Sequence, residues 1–195
     1  MKKHYIAVGA LVCILLGALS YRLLSPVASD GSEDLRAQYL EAGDFHLQGE
    51  KGPVALSDFK GRPVILYFGF TFCPDICPVG LTVIRDALNA NERFKPVQAI
   101  FISIDPERDT HERLSEYLGF FHPQLLGLRG EVDEVRAIAK RYGGYFVQGK
   151  ADEQGQYNVD HTAYYYLIDA NGKLVRVLDH DTSAETLVEE LKKLI

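Results

Sequence analysis

Two near-continuous apolar runs constrain this chain more than any other feature: Val64-Ile65-Leu66-Tyr67-Phe68-Gly69-Phe70 and Val97-Gln98-Ala99-Ile100-Phe101-Ile102-Ser103-Ile104. A strand with one wet face alternates apolar and polar side chains. A run without alternation predicts a strand covered on both faces, as in a parallel sheet. Parallel neighbours need a crossover, and residues 79–94 supply one, with Leu81, Ile84 and Leu88 at helical spacing. The pair of runs therefore predicts a βαβ unit.

Around it the signals are local. Upstream, Phe45-His46-Leu47 and Val54-Ala55-Leu56 flank Gly49-Glu50-Lys51-Gly52, which reads as a β-hairpin. Downstream, helices are expected at residues 109–118, with Thr110 near the cap, and at residues 131–142. Residues 163–169 and 173–178 are strands joined through Asn171-Gly172. Residues 183–194 close the chain as a helix, with Ser183 as N-cap and Leu187, Leu191 and Leu194 on one face. The polar stretch 150–158 looks like an inserted loop or hairpin. The expected order is hairpin, β, α, β, α, α, β-hairpin, α. A parallel βαβ followed by an antiparallel hairpin and helix is the thioredoxin plan, here an α/β fold with an extra N-terminal β-hairpin.

The N-terminal part is a different object. Residues 5–21 carry no charge, Lys2 and Lys3 precede them, and Tyr5 and Tyr21 bracket them. This predicts one transmembrane helix, or a cleaved signal sequence, over residues 1–24. The two lysines keep its start cytoplasmic and send the bulk of the chain across the membrane. Residues 25–43 read as a linker with a short helical stretch, and 44–195 as the domain. Residues 1–29 hold three bases and no acid; the other 166 hold the remaining 18 bases against 27 acids, a charge of −9. Such a balance excludes general nucleic-acid binding, which needs a basic face.

Cys13 falls in the apolar leader, so the exported part has two cysteines, in Thr71-Phe72-Cys73-Pro74-Asp75-Ile76-Cys77-Pro78. They lie between the first buried strand and its helix, where α/β proteins place ligand sites and where a helix start stabilises thiolates. Pro78 as first helical residue would put Cys77 at the cap. Three chemistries fit the pair. A structural disulfide would close a very small loop and stabilise little. A redox-active dithiol would have three intervening residues, where thioredoxin-type enzymes have two. A soft-metal site would need a third ligand, since paired thiolates favour Cu(I), zinc or Fe–S clusters and an Fe–S cluster needs four.

Among the histidines, His46, His111, His122 and His180 sit in polar or turn contexts and read as solvated or capping residues. His161, in Val159-Asp160-His161-Thr162, stands just before the last buried strand. In the thioredoxin plan that loop lies beside the cysteine loop, so His161 is the candidate third ligand, with Asp160 to orient it. Met1 is the sole methionine, which excludes a thioether carrier. Asp75 and Asp105 read equally as turn or cap residues or as partner contacts.

At these positions the chain resembles the Sco/SenC family of membrane-anchored copper-delivery proteins. The resemblance runs from about Phe45 to the C-terminus. It rests on Gly69-Phe70-Thr71-Phe72-Cys73-Pro74-Asp75-Ile76-Cys77-Pro78, on Ser103-Ile104-Asp105-Pro106-Glu107-Arg108-Asp109-Thr110, and on Val159-Asp160-His161-Thr162-Ala163-Tyr164-Tyr165-Tyr166-Leu167-Ile168-Asp169. It implies a thioredoxin-like fold and one copper, Cu(I) or Cu(II), on Cys73, Cys77 and His161. It also implies a role in assembling the CuA centre of cytochrome c oxidase, from an inner-membrane anchor with the domain in the periplasm or an equivalent exported space. The implied partners are the oxidase subunit carrying CuA, and a copper donor or thioredoxin-like reductase. The alternative function is a thiol:disulfide reductase that keeps the CuA cysteines reduced through Cys73 and Cys77. A peroxiredoxin-like peroxidase is a weaker match to the Cys-Pro-Asp-Ile-Cys-Pro loop.

Overall fold

The computed structural model describes residues 34–195. The expected membrane segment, residues 1–24, lies outside them; among the described residues no helix is long and apolar enough to cross a membrane.

The two apolar runs form the centre of a seven-stranded sheet. Strand β1 (His46–Gly49) and β2 (Gly52–Ala55) make the expected hairpin, and β3 (Val64–Gly69) and β4 (Gln98–Ser103) carry the apolar runs. All six residues of β3 and five of six in β4 are buried, so both faces of each are covered, as the lack of alternation requires. The two strands are parallel, with Val64 opposite Gln98 and Gly69 opposite Ser103. Helix α1 (Leu35–Tyr39) precedes the hairpin, and α2 (Ile76–Asn89) is the crossover.

With β5 (Leu125–Arg129), β8 (Tyr165–Ile168) and β9 (Leu174–Leu178), the strand order is β2-β1-β5-β4-β3-β8-β9. One member was not expected. Between helix α3 (His111–Gly119) and helix α4 (Val132–Arg141) runs β5 (Leu125–Arg129), parallel to β4 and antiparallel to β1. It converts the predicted α–α connection into a second βαβ crossover and joins the N-terminal hairpin to the sheet. On the other side β8 (Tyr165–Ile168) pairs antiparallel with β3 and with β9 (Leu174–Leu178), and α5 (Ala184–Lys192) packs against α2. The β8–β9 turn is tied by Asp169, whose Oδ1 accepts from the amides of Asn171 at 2.8 Å and Lys173 at 2.9 Å. Parallel β3–α2–β4 with antiparallel β8–β9 and α5 is the thioredoxin plan.

A separate two-stranded sheet, β6 (Phe146–Gln148) with β7 (Val159–His161), flanks the polar stretch 150–158, which is therefore a hairpin tip. Residues 34–43 lie against the domain. Asp34 caps α1 through the Arg36 amide and also accepts from the Val177 amide of β9, both at 3.0 Å. The Tyr142 hydroxyl donates to the Gly43 carbonyl at 2.7 Å.

Candidate metal centre

The cysteine loop leaves the carboxyl end of β3 at Gly69 and turns through residues 70–75 into α2. Helix α2 begins at Ile76, two residues before the expected start at Pro78. Asp75 holds the cap position but makes no side-chain capping bond. The cap is a sulfur: the Cys77 amide donates to Cys73 Sγ at 3.4 Å. That amide is one of the first four of the helix, which have no intrahelical acceptor. Pro78 then sits within the first turn, where its missing N–H costs no helical bond.

Behind the loop the packing leaves no slack. A methyl group on Gly69 would lie 2.8 Å from Cys77 Sγ and 2.8 Å from the Phe101 ring, and one on Gly80 would lie 2.6 Å from the Tyr67 hydroxyl. Helix and strand therefore approach through two glycines. Tyr67 reaches under the helix start, its hydroxyl 3.4 Å from the Ile76 carbonyl to which it donates.

His161 comes from β7, where it pairs with Phe146. Its Nδ1 is 3.0 Å from the Thr162 carbonyl, which can only accept, so Nδ1 carries the proton. Nε2 keeps its lone pair and lies 3.6 Å from Cys77 Sγ. The orienting group is thus the Thr162 backbone, correcting the expectation that Asp160 does this; Asp160 is exposed on the outer side of the hairpin. The Phe70 ring meets the imidazole edge-on, with centroids 5.6 Å apart.

Cys73 Sγ, Cys77 Sγ and His161 Nε2 all lie within 4.8 Å of one another. Both cysteines are free and buried, Cys77 completely. The pair is electrostatically split. The hydrogen bond from the Cys77 thiol, with help from the backbone amides of Asp75 and Cys77, pulls the Cys73 thiol down to about 4 against the opposing effect of burial. The Cys77 thiol is driven far up by its bond to Cys73, by burial and by the adjacent thiolate charge.

The donor set fits a soft metal ion. Metal–sulfur and metal–nitrogen bonds of about 2.0–2.3 Å place the donors of a trigonal site about 3.5–4 Å apart. The Cys77–His161 separation already falls in that range. Among the described residues no fourth His, Cys, Asp or Glu joins the group, so it falls short of the four ligands of structural zinc. His46, His111, His122 and His180 stay outside it. His122 serves as a local cap, its Nδ1 accepting from the Gln124 amide at 3.1 Å, and burial depresses its basicity.

Several residues that shape the site have no metal-binding signature in the sequence. Asp109, fully buried, accepts from the Thr71 amide at 3.2 Å, from the Thr71 hydroxyl at 2.5 Å and from the Ser103 hydroxyl at 2.6 Å. It pins the cysteine loop to the end of β4. Burial pushes its carboxyl up while these hydrogen bonds pull it down. Asp105 is also buried, holding Arg108 and the Tyr157 hydroxyl. Asp75 is exposed. The signal for Asp109 was its place in the Asp-Pro-Glu-Arg-Asp-Thr segment that leaves β4 beside the carboxyl end of β3.

The SCO1/SenC family model matches residues 33–195. The mitochondrial SCO2 homolog of Bos taurus is 39% identical over 167 residues, which is 83% of this chain and 62% of that protein. The chain thus spans less than two thirds of that relative's length. The structure of Bradyrhizobium japonicum ScoI with copper bound matches with a TM-score of 0.71 and 36% identity, over 79% of this chain and 99% of that one. BsSco, a member of the Sco family of cytochrome c oxidase assembly proteins in which a disulfide switch has been identified, matches with a TM-score of 0.62 and 25% identity, over 80% and 93%. With the fold, the ligand cluster and these similarities in agreement, this chain belongs to the SCO1/SenC family.

Proposed function

We propose that this chain is a membrane-anchored copper chaperone for the CuA centre of cytochrome c oxidase, holding one copper on Cys73, Cys77 and His161. The observation that carries the proposal is the convergence of two sulfurs and one unprotonated imidazole nitrogen within 4.8 Å. Thiolates suit Cu(I) and imidazole suits both oxidation states, so one set serves both. Two thiolates and a neutral imidazole carry −2, which leaves −1 with Cu(I) and zero with Cu(II). Three donors leave an approach for an incoming ligand, as hand-over to a partner requires. The anchor is residues 1–24, and the domain works on the periplasmic or equivalent exported face of the inner membrane. Its partners are the CuA-bearing oxidase subunit and an upstream copper donor or thioredoxin-like reductase.

Anaerobic Cu(I) titration of the reduced protein tests this. One equivalent should bind, and His161→Ala should weaken binding tenfold or more, given that each ligand lost leaves a two-coordinate ion. Absence of binding, or a preference for zinc, sinks the proposal.

One observation favours a second reading, a thiol:disulfide reductase acting on the CuA cysteines. Cys73 is an ionised thiol at neutral pH with Cys77 beside it to resolve a mixed disulfide. His161 separates the two. Oxidase assembly that survives His161→Ala but fails in either Cys→Ala variant supports reductase action, whereas joint loss of copper binding and assembly supports delivery.

A further inference from the structure

The β6–β7 hairpin that carries His161 shares no strand pair with the seven-stranded sheet. Its position over the cysteine loop is therefore set by its short connection to β8, by the buried side chains of Phe146 and Val159, and by side-chain contacts nearer the tip. At its base, Thr162 and Tyr145 exchange bonds: the Thr162 amide donates to the Tyr145 carbonyl at 3.0 Å, and the Tyr145 amide to the Thr162 hydroxyl at 3.1 Å. Toward its tip, one guanidinium does the work. Arg108 lies 3.8 Å above the Tyr157 ring and donates to the Tyr157 carbonyl at 3.0 Å, while the Tyr157 hydroxyl donates to Asp105 at 2.8 Å. The same guanidinium stands 4.7 Å from the Phe72 ring and 5.8 Å from the Phe70 ring, and is paired with Asp105. Phe72 is covalently next to Cys73, and Phe70 touches the His161 imidazole. Arg108 thus bridges the two segments that supply the ligands.

We propose that Arg108 and Tyr157 form a latch that closes the His161-bearing hairpin onto the cysteine loop, making Tyr157 a positioning residue for the copper site. The proposal rests on the copper reading of Cys73, Cys77 and His161. A latch of this kind fits a carrier. The hairpin needs no sheet hydrogen bond broken to move; with buried Phe146 and Val159 as its root in the core, releasing the Tyr157 ring from the guanidinium frees its outer part and loosens the imidazole's hold on copper, which the two sulfurs keep. The ring is half-buried and at the hairpin tip, within reach of a docking partner.

The test is a double-mutant cycle between Tyr157 and His161, read by Cu(I) competition with a chromophoric chelator and by the thiolate charge-transfer absorbance of the Cu(II) form. Tyr157 is chosen because removing Arg108 would strand the buried Asp105 carboxylate. Tyr157→Ala should weaken Cu(I) binding about tenfold, at the lower end of what loss of an orienting partner costs a metal site. Tyr157→Phe, which keeps the ring under Arg108 and loses only the hydroxyl's contacts with Asp105 and Glu107, should lose less in the same direction, and it carries the test should the alanine variant not fold. In the His161→Ala background the Tyr157 change should have no further effect, because the latch acts only through the imidazole. Wild-type affinity in the Tyr157 variants, or equal losses with and without His161, overturns the latch and leaves the copper site standing. Unchanged affinity in His161→Ala alone overturns the copper reading and the latch with it.

Discussion

Substituting Gly69 by Ala puts one carbon into the most confined point behind the metal site. The added methyl would sit 2.8 Å from Cys77 Sγ and 2.8 and 2.9 Å from two atoms of the Phe101 ring. Non-bonded atoms prefer about 3.5–4.0 Å, so the methyl stands roughly 0.7 Å or more too close to both neighbours. Phe101 is fully buried in the centre of β4 and cannot retreat without repacking both faces of the sheet. Cys77 is equally buried, but it lies in the first turn of a helix and faces the site, so the ring presses the methyl toward the sulfur and the sulfur yields. Overpacking of this kind costs about 1–3 kcal/mol. For a domain of this size that is a fall in Tm of about 2–12 °C. The same displacement disturbs the 3.6 Å separation from His161 Nε2, so Cu(I) affinity should fall about tenfold, in the range of lost orienting contacts. Calorimetry of the metal-free protein and chelator competition measure the two effects. Gly119→Ala is the control, since a methyl there meets nothing within 4 Å and should leave both readings unchanged. A Gly69→Ala protein that melts and binds copper like the parent refutes the claim that this glycine sets the sulfur's position.

Other perturbations probe the same framework. In the reduced, metal-free protein, thiolate absorbance should show one ionised cysteine at neutral pH, lost as the pH falls through about 4 as Cys73 takes up a proton; Cys77→Ala, which removes the strongest hydrogen bond to that thiolate, should move the midpoint upward, and a midpoint in the ordinary thiol range would contradict the split pair. Asp109→Asn leaves at least one of its three donors from Thr71 and Ser103 unmatched, so about 1–3 kcal/mol of stability should be lost in a denaturant titration. Asp34→Ala removes a cap and the tie to Val177 at once and should cost about 1–2 kcal/mol; no change in the melt would mean that α1 contributes nothing to the domain's stability.

The residues that declare themselves in the sequence are those whose environment is local or two-sided. The β3 and β4 runs are apolar at nearly every position because helices cover both faces, and Asn171-Gly172 turns where its own Asp169 can hold it. Strand β5 was illegible for the opposite reason. Four of its five residues are only partly buried, it sits between two helices, and its strand identity is conferred by pairing with β4 and β1. The start of α2 was misplaced because a sulfur, not an Asp or Ser, caps it. Cys73, Cys77 and His161 could be nominated from residue type and topology. Asp109 and Arg108 stand out only by their segment leaving β4, and Tyr157 not at all, since what the three do lies in contacts across 38 and 49 residues of chain between loops that no periodicity describes.

The nitrogen and sulfur that face each other at 3.6 Å are 84 residues apart in the chain. An ion gripping both is therefore a reversible cross-link across nearly half the polypeptide. By chain-entropy reasoning, closing a loop of that length in the unfolded ensemble disfavours unfolding by about 4.5 kcal/mol, the scale of a long-range disulfide. The loaded carrier should then resist proteases and heat better than the emptied one, and delivery itself would hand quality control a softer target.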